Sequence, residues 1–152
     1  MSCCPKGSWE QLHDHYKPIG EDLNIEGVPV YHTGKGDRFI LIVSDIFGAS
    51  SGRHRSVADI FASLGYNVYL PELLVTPFDG PLGPAIMDNI KGQDINIMNA
   101  KYEKVVAHLA TLGADKTFSI GFCWGVWYAF KLSAKYGKFT AIAGPHPSLQ
   151  VE

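Results

Sequence analysis

Short apolar runs and apolar stripes at helical spacing alternate along this chain. The run 38–44 (RFILIVS) is continuous and rich in β-branched residues, which is typical of a strand buried on both faces. A stripe with the i, i+3, i+4, i+7 spacing of one helix face follows it, made of Val57, Ile60, Phe61 and Leu64. Together these patterns predict strands at 38–44, 66–70, 116–120 and 139–143, and helices that end at Gly65, Gly113 and Gly137.

The order strand, helix, strand, helix, strand, helix, strand is that of parallel strands joined by right-handed crossovers. It predicts an α/β fold, a three-layer α/β/α sandwich around a mostly parallel sheet. Asp94 is expected to cap the second helix, because its side chain can accept hydrogen bonds from the first N–H groups of the helix. The buried stripe of that helix is predicted to be Met98, Tyr102, Val105, Val106 and Leu109.

Two segments lie outside this alternation. The N-terminal segment of about 1–24 is polar and is predicted to be irregular, and it precedes a strand at 27–32 whose Pro29 favours an edge position. The segment 73–92 is rich in proline and glycine, so we predict an excursion with at most a short helix.

The composition narrows the class of protein. With 152 residues, 46% of them hydrophobic and 18% charged, the chain is predicted to form one globular domain over 1–152. Thirteen basic and fifteen acidic residues give a net charge of −2, so there is no electrostatic case for binding nucleic acid or an anionic membrane. The chain has neither an apolar run long enough to span a bilayer nor the apolar core of a signal peptide near its start. We therefore expect a cytoplasmic protein.

The three cysteines offer little to a disulfide framework or a metal centre. Cys3 and Cys4 are adjacent, and Cys123 is far away in sequence. A metal site made by Cys3 and Cys4 with His13 and His15 would have no usual zinc spacing. We expect no metal and no cofactor, which leaves Cys123 as the cysteine with a candidate chemical role.

The segment 121–125 (GFCWG) joins a predicted strand to a predicted helix. It is the cysteine version of the G-x-S-x-G turn, in which a tight strand-to-helix bend exposes a nucleophile and the glycines remove colliding side chains. The start of the following helix favours a thiolate and a developing oxyanion, and the N–H of Trp124 is one natural oxyanion donor. The simpler alternative is that Cys123 is a buried cysteine packing as a small hydrophobe.

Together with other segments, this turn resembles the dienelactone hydrolase family, also called carboxymethylenebutenolidase-like. The run 44–48 (SDIFG) is similar to the family's loop after its first long parallel strand, and 71–74 (PELL) is similar to the segment that opens its active-site excursion. The Cys3-Cys4 start resembles eukaryotic members. The resemblance covers nearly the whole chain and implies an α/β-hydrolase fold.

The resemblance also implies roles for individual residues. Cys123 would be the nucleophile, and the backbone N–H groups of Ile46 and Trp124 would form the oxyanion hole. Asp45 stands where the family usually has a glutamate that contacts the resting cysteine; the alternative is a strand-end carboxylate that caps backbone N–H groups. His146 follows the last predicted strand, near the turn, where it would line the pocket or act as a substitute base.

Basic side chains beside the loop at 44–48 are a further possibility. Arg53, His54 or Arg55 could contact a substrate carboxylate, although a solvated first turn of helix is the simpler expectation for them. The substrate itself would be a lactone or an activated carboxylic ester, and the sequence does not name it.

A nucleophile needs a base, the base needs an orienting acid, and in α/β-hydrolases both follow the nucleophile in the chain. After Cys123 this sequence has one histidine, His146, and one acid, Glu152. We therefore expect the family's C-terminal strand-helix units to be lacking and the strand at 139–143 to be an exposed apolar edge. A fragment of a longer polypeptide, a second chain that completes the sheet, or a degenerate family member would each account for this.

Two hypotheses of different classes follow. The first is a hydrolase with a cysteine nucleophile, which in the 152-residue form alone we expect to be weak or inactive because the triad Asp and His are absent. The second is a catalytically inactive family member that serves as a structural or binding subunit of a larger assembly. A redox-sensing thiol at Cys123 is a third option.

Overall fold

A single mixed sheet organises the part of the chain that the computed structural model describes, which is residues 16–81, 83–114 and 116–148. Six strands and four helices are found there. In chain order they are β1 (Glu21–Ile25), β2 (Val28–Thr33), β3 (Arg38–Val43), α1 (His54–Ser63), β4 (Tyr66–Pro71), α2 (Ala85–Lys91), α3 (Ile95–Thr111), β5 (Thr117–Gly121), α4 (Trp124–Tyr136) and β6 (Phe139–Ala143).

The strands lie in the order β1-β2-β4-β3-β5-β6. The four strands β4, β3, β5 and β6 are parallel to one another, whereas β1 and β2 are added at one end by antiparallel pairing. The predicted mostly parallel sheet is confirmed, and the four strands predicted from apolar runs agree with β3 to β6 to within one residue at each end. β6 lies at the edge of the described sheet, as expected.

The prediction for the N-terminal part was wrong in two respects. Residues 21–25 form β1, although we expected an irregular segment over about 1–24. Because β1 pairs with β2, the strand predicted at 27–32 lies inside the sheet and not at its edge. Pro29 is tolerated there because the ladder to β4 begins one residue later, at Val30, and the Pro29 carbonyl accepts a hydrogen bond from the Glu72 N–H at 2.9 Å. The possible metal ligands Cys3, Cys4, His13 and His15 lie outside the described residues.

Alternate residues of β3 point to opposite faces of the sheet, and both faces are buried. Leu41 and Val43 pack towards α3 and α4, whereas Ile40 and Ile42 pack towards α1. This two-sided burial is the reason that the sequence of β3 is continuously apolar. It also makes β3 and its parallel neighbour β5 the central strands from which the candidate site is built.

The cap and the buried stripe of α3 agree with the prediction, whereas the stripe of α1 differs from it in part. Asp94 caps α3 by accepting hydrogen bonds from the N–H groups of Asn96 and Ile97. Within the predicted stripe of α3, Met98, Tyr102, Val105 and Leu109 are buried, and Val106 is half-buried.

The predicted stripe of α1 is only partly correct, because Val57 and Phe61 pack against the core but Ile60 and Leu64 do not. Ile60 and Leu64 are 56% and 62% exposed, whereas His54, Ala58 and Asp59 are buried. The physical reason is that the Asp59 carboxylate is satisfied by hydroxyl and N–H donors in the interior, which turns that side of the helix inward.

Candidate active site

Cys123 lies at the junction of β5 and α4, with φ 52° and ψ −117°. This left-handed region is uncommon for a residue with a side chain, and residues held there are concentrated at functional sites. The Cys123 side chain is half-buried. A sharp turn of this kind between a parallel strand and a helix is the backbone geometry of a nucleophile elbow.

The two glycines of the turn are required by close backbone contacts. A Cβ on Gly121 would lie 2.6 Å from the Cα of Val126, and a Cβ on Gly125 would lie 2.2 Å from the carbonyl oxygen of Ser44. The first glycine lets the helix fold back onto the strand, and the second lets α4 begin against the end of β3. The spacing of these glycines in the sequence therefore has a steric explanation.

The loop after β3 comes next to this turn because β3 and β5 are parallel neighbours, with Val43 opposite Gly121. The Asp45 carbonyl accepts a hydrogen bond from the Gly48 N–H at 3.2 Å, and Asp45 Oδ1 accepts one from the Phe47 N–H at 2.9 Å. The turn thus uses two of its N–H groups internally, and among the described residues no such bond is found for the Ile46 N–H.

Trp124 is the first residue of α4, where the N–H groups have no partner one turn back in the helix. Both Ile46 and Trp124 are buried, at 4% and 3% exposure. Two backbone donors, one from the loop after β3 and one from the start of α4, are the arrangement that an oxyanion hole needs. Their role as the oxyanion hole stays a prediction.

Asp45 also faces His54, a pairing that the sequence analysis missed. His54 Nε2 lies 3.5 Å from Asp45 Oδ2, and its Nδ1 donates a hydrogen bond to the Ser51 carbonyl at 2.8 Å. The imidazole packs edge-on against Phe122 of the elbow, with ring centroids 4.9 Å apart. Both ring nitrogens are therefore directed at the loop after β3, and the pair supports that loop.

These contacts correct the expectation of a solvated first turn of α1, because His54 is only 4% exposed. Arg55, a possible substrate contact, instead bonds Asp22 of β1 at 2.7 Å and lies over the ring of Tyr31. Arg53 is exposed. Asp45 binds the Phe47 N–H as a capping carboxylate does, and its contact with the resting cysteine stays a prediction.

Glu72 is a second acid beside the loop, and it had no role in the sequence analysis. Its Oε2 accepts a hydrogen bond from the Ala49 N–H at 2.8 Å, and its Oε1 accepts one from the Leu74 N–H at 3.1 Å. Burial raises the pKa of Glu72, against the opposing effects of these two bonds and of the nearby Lys101. The sequence feature that could have identified Glu72 is its position directly after β4, because ligands of α/β proteins bind at the carboxyl ends of the strands.

The segment after β6 returns to the elbow. The Ser148 N–H donates a hydrogen bond to the Cys123 carbonyl at 3.1 Å. His146 lies on this segment with φ 39°, and its side chain is exposed. The segment that carries His146 is thus anchored at the candidate nucleophile, while a role for His146 as pocket residue or base stays a prediction.

Residues 16–81, 83–114 and 116–148 contain no group of three or more His, Cys, Asp or Glu side chains placed to hold a metal ion. Of the helices found in these ranges, none is long and apolar enough to cross a membrane.

The parallel strands, the helices on both faces and the strand–turn–helix at Cys123 define an α/β-hydrolase fold. The model of the dienelactone hydrolase family matches residues 26–152, and the chain therefore belongs to this family. The crystal structure of a protein assigned as a dienelactone hydrolase from Klebsiella pneumoniae superposes with a TM-score of 0.73 at 23% identity. That match covers 88% of this chain and 62% of the other.

Curated relatives point to the same family. The carboxymethylenebutenolidase homolog of Homo sapiens is 27% identical over 145 residues, which cover 91% of this chain and 58% of the human protein. The hydrolase pyvD of Aspergillus violaceofuscus is 31% identical over 140 residues, which cover 85% of this chain and 54% of the fungal protein. The chain spans about half the length of the curated relatives it matches.

Proposed function

We propose that the protein is a hydrolase of the dienelactone hydrolase type, with Cys123 as nucleophile and a lactone or activated carboxylic ester as substrate. The observation that carries this proposal is the backbone of Cys123, held at φ 52° and ψ −117° at the start of α4. Such a conformation costs roughly 1–3 kcal/mol, and a cysteine that only fills space has no use for it. The family membership supports the same class of reaction.

The proposed reaction has two half-reactions. The Cys123 thiolate attacks the carbonyl carbon, and the carbonyl oxygen becomes an oxyanion that the N–H groups of Ile46 and Trp124 stabilise. Collapse of this species forms a thioester and expels the alkoxide, which takes up a proton; from a lactone, the alcohol stays attached to the acyl group. Water then adds to the thioester, the thiolate leaves and a carboxylic acid is released.

The proton transfers need a base, and in α/β-hydrolases the histidine and its acid follow the nucleophile in the chain. Among the described residues after Cys123, His146 is the candidate. Loss of a triad member typically removes several orders of magnitude of rate. We therefore propose that the 152-residue chain alone acylates at Cys123 but turns over weakly.

Acetylation by p-nitrophenyl acetate tests this proposal. The expected result is a burst of nitrophenolate with one acetyl group on Cys123, located by mass spectrometry of the intact protein and its peptides, followed by slow turnover. Cys123→Ala should show no burst. A burst that persists in Cys123→Ala, or acetylation spread over lysines, would overturn the nucleophile assignment. Rapid turnover by the purified wild-type chain would contradict only the weak turnover proposed for the 152 residues alone.

One observation favours the second candidate function, an inactive subunit of a larger assembly. Most of β6 is exposed at the edge of the described sheet, and Phe130 on the neighbouring α4 is 52% exposed. Unpaired strand edges and exposed aromatic side chains invite pairing with another chain. Analytical ultracentrifugation tests this candidate: self-association or a stable complex supports it, and a soluble monomer at high concentration counts against it.

A further inference from the structure

A carboxylate lies directly beneath the loop that carries Ile46. A Cβ on Gly48 would lie 2.5 Å from Glu72 Oε2, so the loop passes in contact with this oxygen. The same oxygen accepts the hydrogen bond from the Ala49 N–H at 2.8 Å. Gly48 has φ 90°, a conformation that glycine adopts without strain. The loop thus bends tightly over Glu72, and the bond to Ala49 holds it there.

The other carboxylate oxygen of Glu72 holds the start of the excursion. Oε1 accepts a hydrogen bond from the Leu74 N–H at 3.1 Å, and Lys101 Nζ donates to the Leu74 carbonyl. The excursion returns to the loop at Phe78, whose N–H donates to the Ile46 carbonyl at 2.8 Å. Glu72 and the excursion therefore hold the turn at 45–48 from two directions.

A buried carboxylate is unfavourable unless it is hydrogen-bonded, because it loses its hydration. Glu72 is half-buried, and the steps of the proposed reaction do not use it. Its N–H partners lie in two different loops that meet beside the elbow. A carboxylate with two backbone donors from separate loops fixes their relative position, since ionised acceptors make stronger and shorter hydrogen bonds than neutral ones.

We propose that Glu72 is a positioning residue that fixes the Ile46 N–H in the oxyanion hole by holding Ala49 and Leu74 together. This inference rests on the proposed function, because it assigns a task to Glu72 only if Ile46 stabilises an oxyanion. Glu72 would act through its bonds to the Ala49 and Leu74 N–H groups and not on the reacting atoms. Its effect on the reaction is expected to appear only in steps that develop an oxyanion.

Two reagents separate this effect from general damage to the fold. Acetylation of Cys123 by p-nitrophenyl acetate passes through an oxyanion, whereas alkylation by iodoacetamide is a displacement at a saturated carbon and does not. The ratio of the two rate constants therefore reports the oxyanion hole and is insensitive to thiol exposure. Asp59→Asn is the matched control, because Asp59 is also a buried carboxylate that accepts a backbone N–H but lies on α1, outside the candidate active site.

In Glu72→Ala we expect the acetylation rate constant to fall by about 10- to 100-fold, somewhat less than the loss of an oxyanion donor itself causes. The alkylation rate constant should stay unchanged. Glu72→Gln keeps one carbonyl acceptor, so the rate constant for acetylation of Cys123 should fall less in this variant. If Glu72→Ala does not fold, Glu72→Gln provides the test. Asp59→Asn should leave the ratio unchanged.

Three results would overturn the inference. Equal acetylation in wild type and both Glu72 variants would overturn the inference alone and leave the proposed function standing. A parallel fall of acetylation and alkylation would assign Glu72 a general structural role instead. Alkylation of wild-type Cys123 without any acetylation would overturn the proposed function and this inference with it.

Discussion

One face of the sheet is covered by α1 and the other by α3 and α4, and different interactions attach the two layers. On the α1 face, aliphatic and aromatic strand residues surround a polar anchor. The carboxylate of Asp59 accepts hydrogen bonds from the Tyr31 hydroxyl at 2.7 and 2.9 Å, from the Ile19 N–H at 3.1 Å, and from the hydroxyl of Tyr16. Directional bonds to a charge therefore fix the position of this helix.

The α3 and α4 face is held by aromatic packing. Trp124 stacks on Tyr128 with ring centroids 5.5 Å apart, and Tyr102 lies against Tyr136 at 5.0 Å. Aromatic pairs add roughly 0.5–1.5 kcal/mol beyond their buried area and depend little on pH. The elbow leads into α4, so its orientation depends on the steric fit of this face. The attachment of α1 depends instead on the charge of Asp59.

The largest loss of stability is expected for Gly125→Ala, on the face covered by α3 and α4. The added Cβ would lie 2.2 Å from the Ser44 carbonyl oxygen and 2.5 Å from that of Val43, and both atoms belong to the backbone of β3 or its end. We expect a loss of about 3 kcal/mol or more in the free energy of unfolding, measured by urea denaturation. Gly137→Ala is the control, since its Cβ would meet no atom of the described residues within 4 Å and only its φ of 62° is unfavourable.

Gly137→Ala should lose only about 1–2 kcal/mol, the cost of a left-handed conformation for alanine. Equal losses in the two variants would show that the approach of α4 to β3 costs no more than a left-handed alanine, and would contradict the steric explanation for Gly125.

An intermediate loss of stability is expected for Asp59→Asn, on the face covered by α1. Burial alone would raise the pKa of Asp59, but the hydrogen bonds that it accepts outweigh burial and hold its pKa below the ordinary value. Hydrogen bonds to a charged group contribute about 1.5–3 kcal/mol, so the variant should lose roughly 2–3 kcal/mol at neutral pH. Asp22→Asn, which changes an exposed acid paired with Arg55, should lose well under 1 kcal/mol.

The sign of the pH dependence follows from that lowered pKa. The stabilisation is present above the unfolded-state pKa of about 3.9 and is lost as pH falls through the folded-state value below it. The difference between wild type and Asp59→Asn should therefore shrink below about pH 4, as measured by thermal unfolding at several pH values. A difference that stays constant down to pH 2 would show that Asp59 acts through its shape and not through its charge.

Asp59 also shows where the sequence pattern was insufficient. The strands β3 to β6 were predictable because each is a local apolar run, and the elbow was predictable because the glycines and the cysteine lie within five residues. The burial of Asp59 on α1 was not predictable, since a hydrophobic stripe places an aspartate on the surface. Its burial depends on Tyr31, which lies far from it in sequence.

The candidate site likewise contains residues that the sequence could indicate and contacts that it could not. Cys123, Ile46 and Trp124 belong to local motifs, and the sequence could indicate them. The contact of Glu72 with Ala49 joins residues of two different loops, and that of His54 with Asp45 joins a helix to a loop. The contact between Glu72 and Ala49 arises only when the sheet order brings the carboxyl ends of β3 and β4 together. The contact between His54 and Asp45 depends on how the loop between β3 and α1 folds, which the apolar pattern does not encode.

The smallest changes in stability are expected when either of two tyrosine hydroxyls is removed from the aromatic side chains of α3 and α4. The Tyr128 hydroxyl donates a hydrogen bond to Asn99 Oδ1 at 3.1 Å, and both groups are buried. The Tyr102 hydroxyl is buried too, but within the described residues no hydrogen-bond partner is found for it. Tyr128→Phe should therefore lose about 1–2 kcal/mol, because it leaves a buried amide oxygen unpaired.

Tyr102→Phe should be neutral or slightly stabilising, since it removes a buried polar group that gains nothing from the fold. Urea denaturation of both variants measures the difference. A loss in Tyr102→Phe as large as that in Tyr128→Phe would mean that this face also contains a polar anchor, at Tyr102. The contrast with Asp59 would then be one of degree, because a neutral hydroxyl would hold α3 and α4 as the carboxylate holds α1.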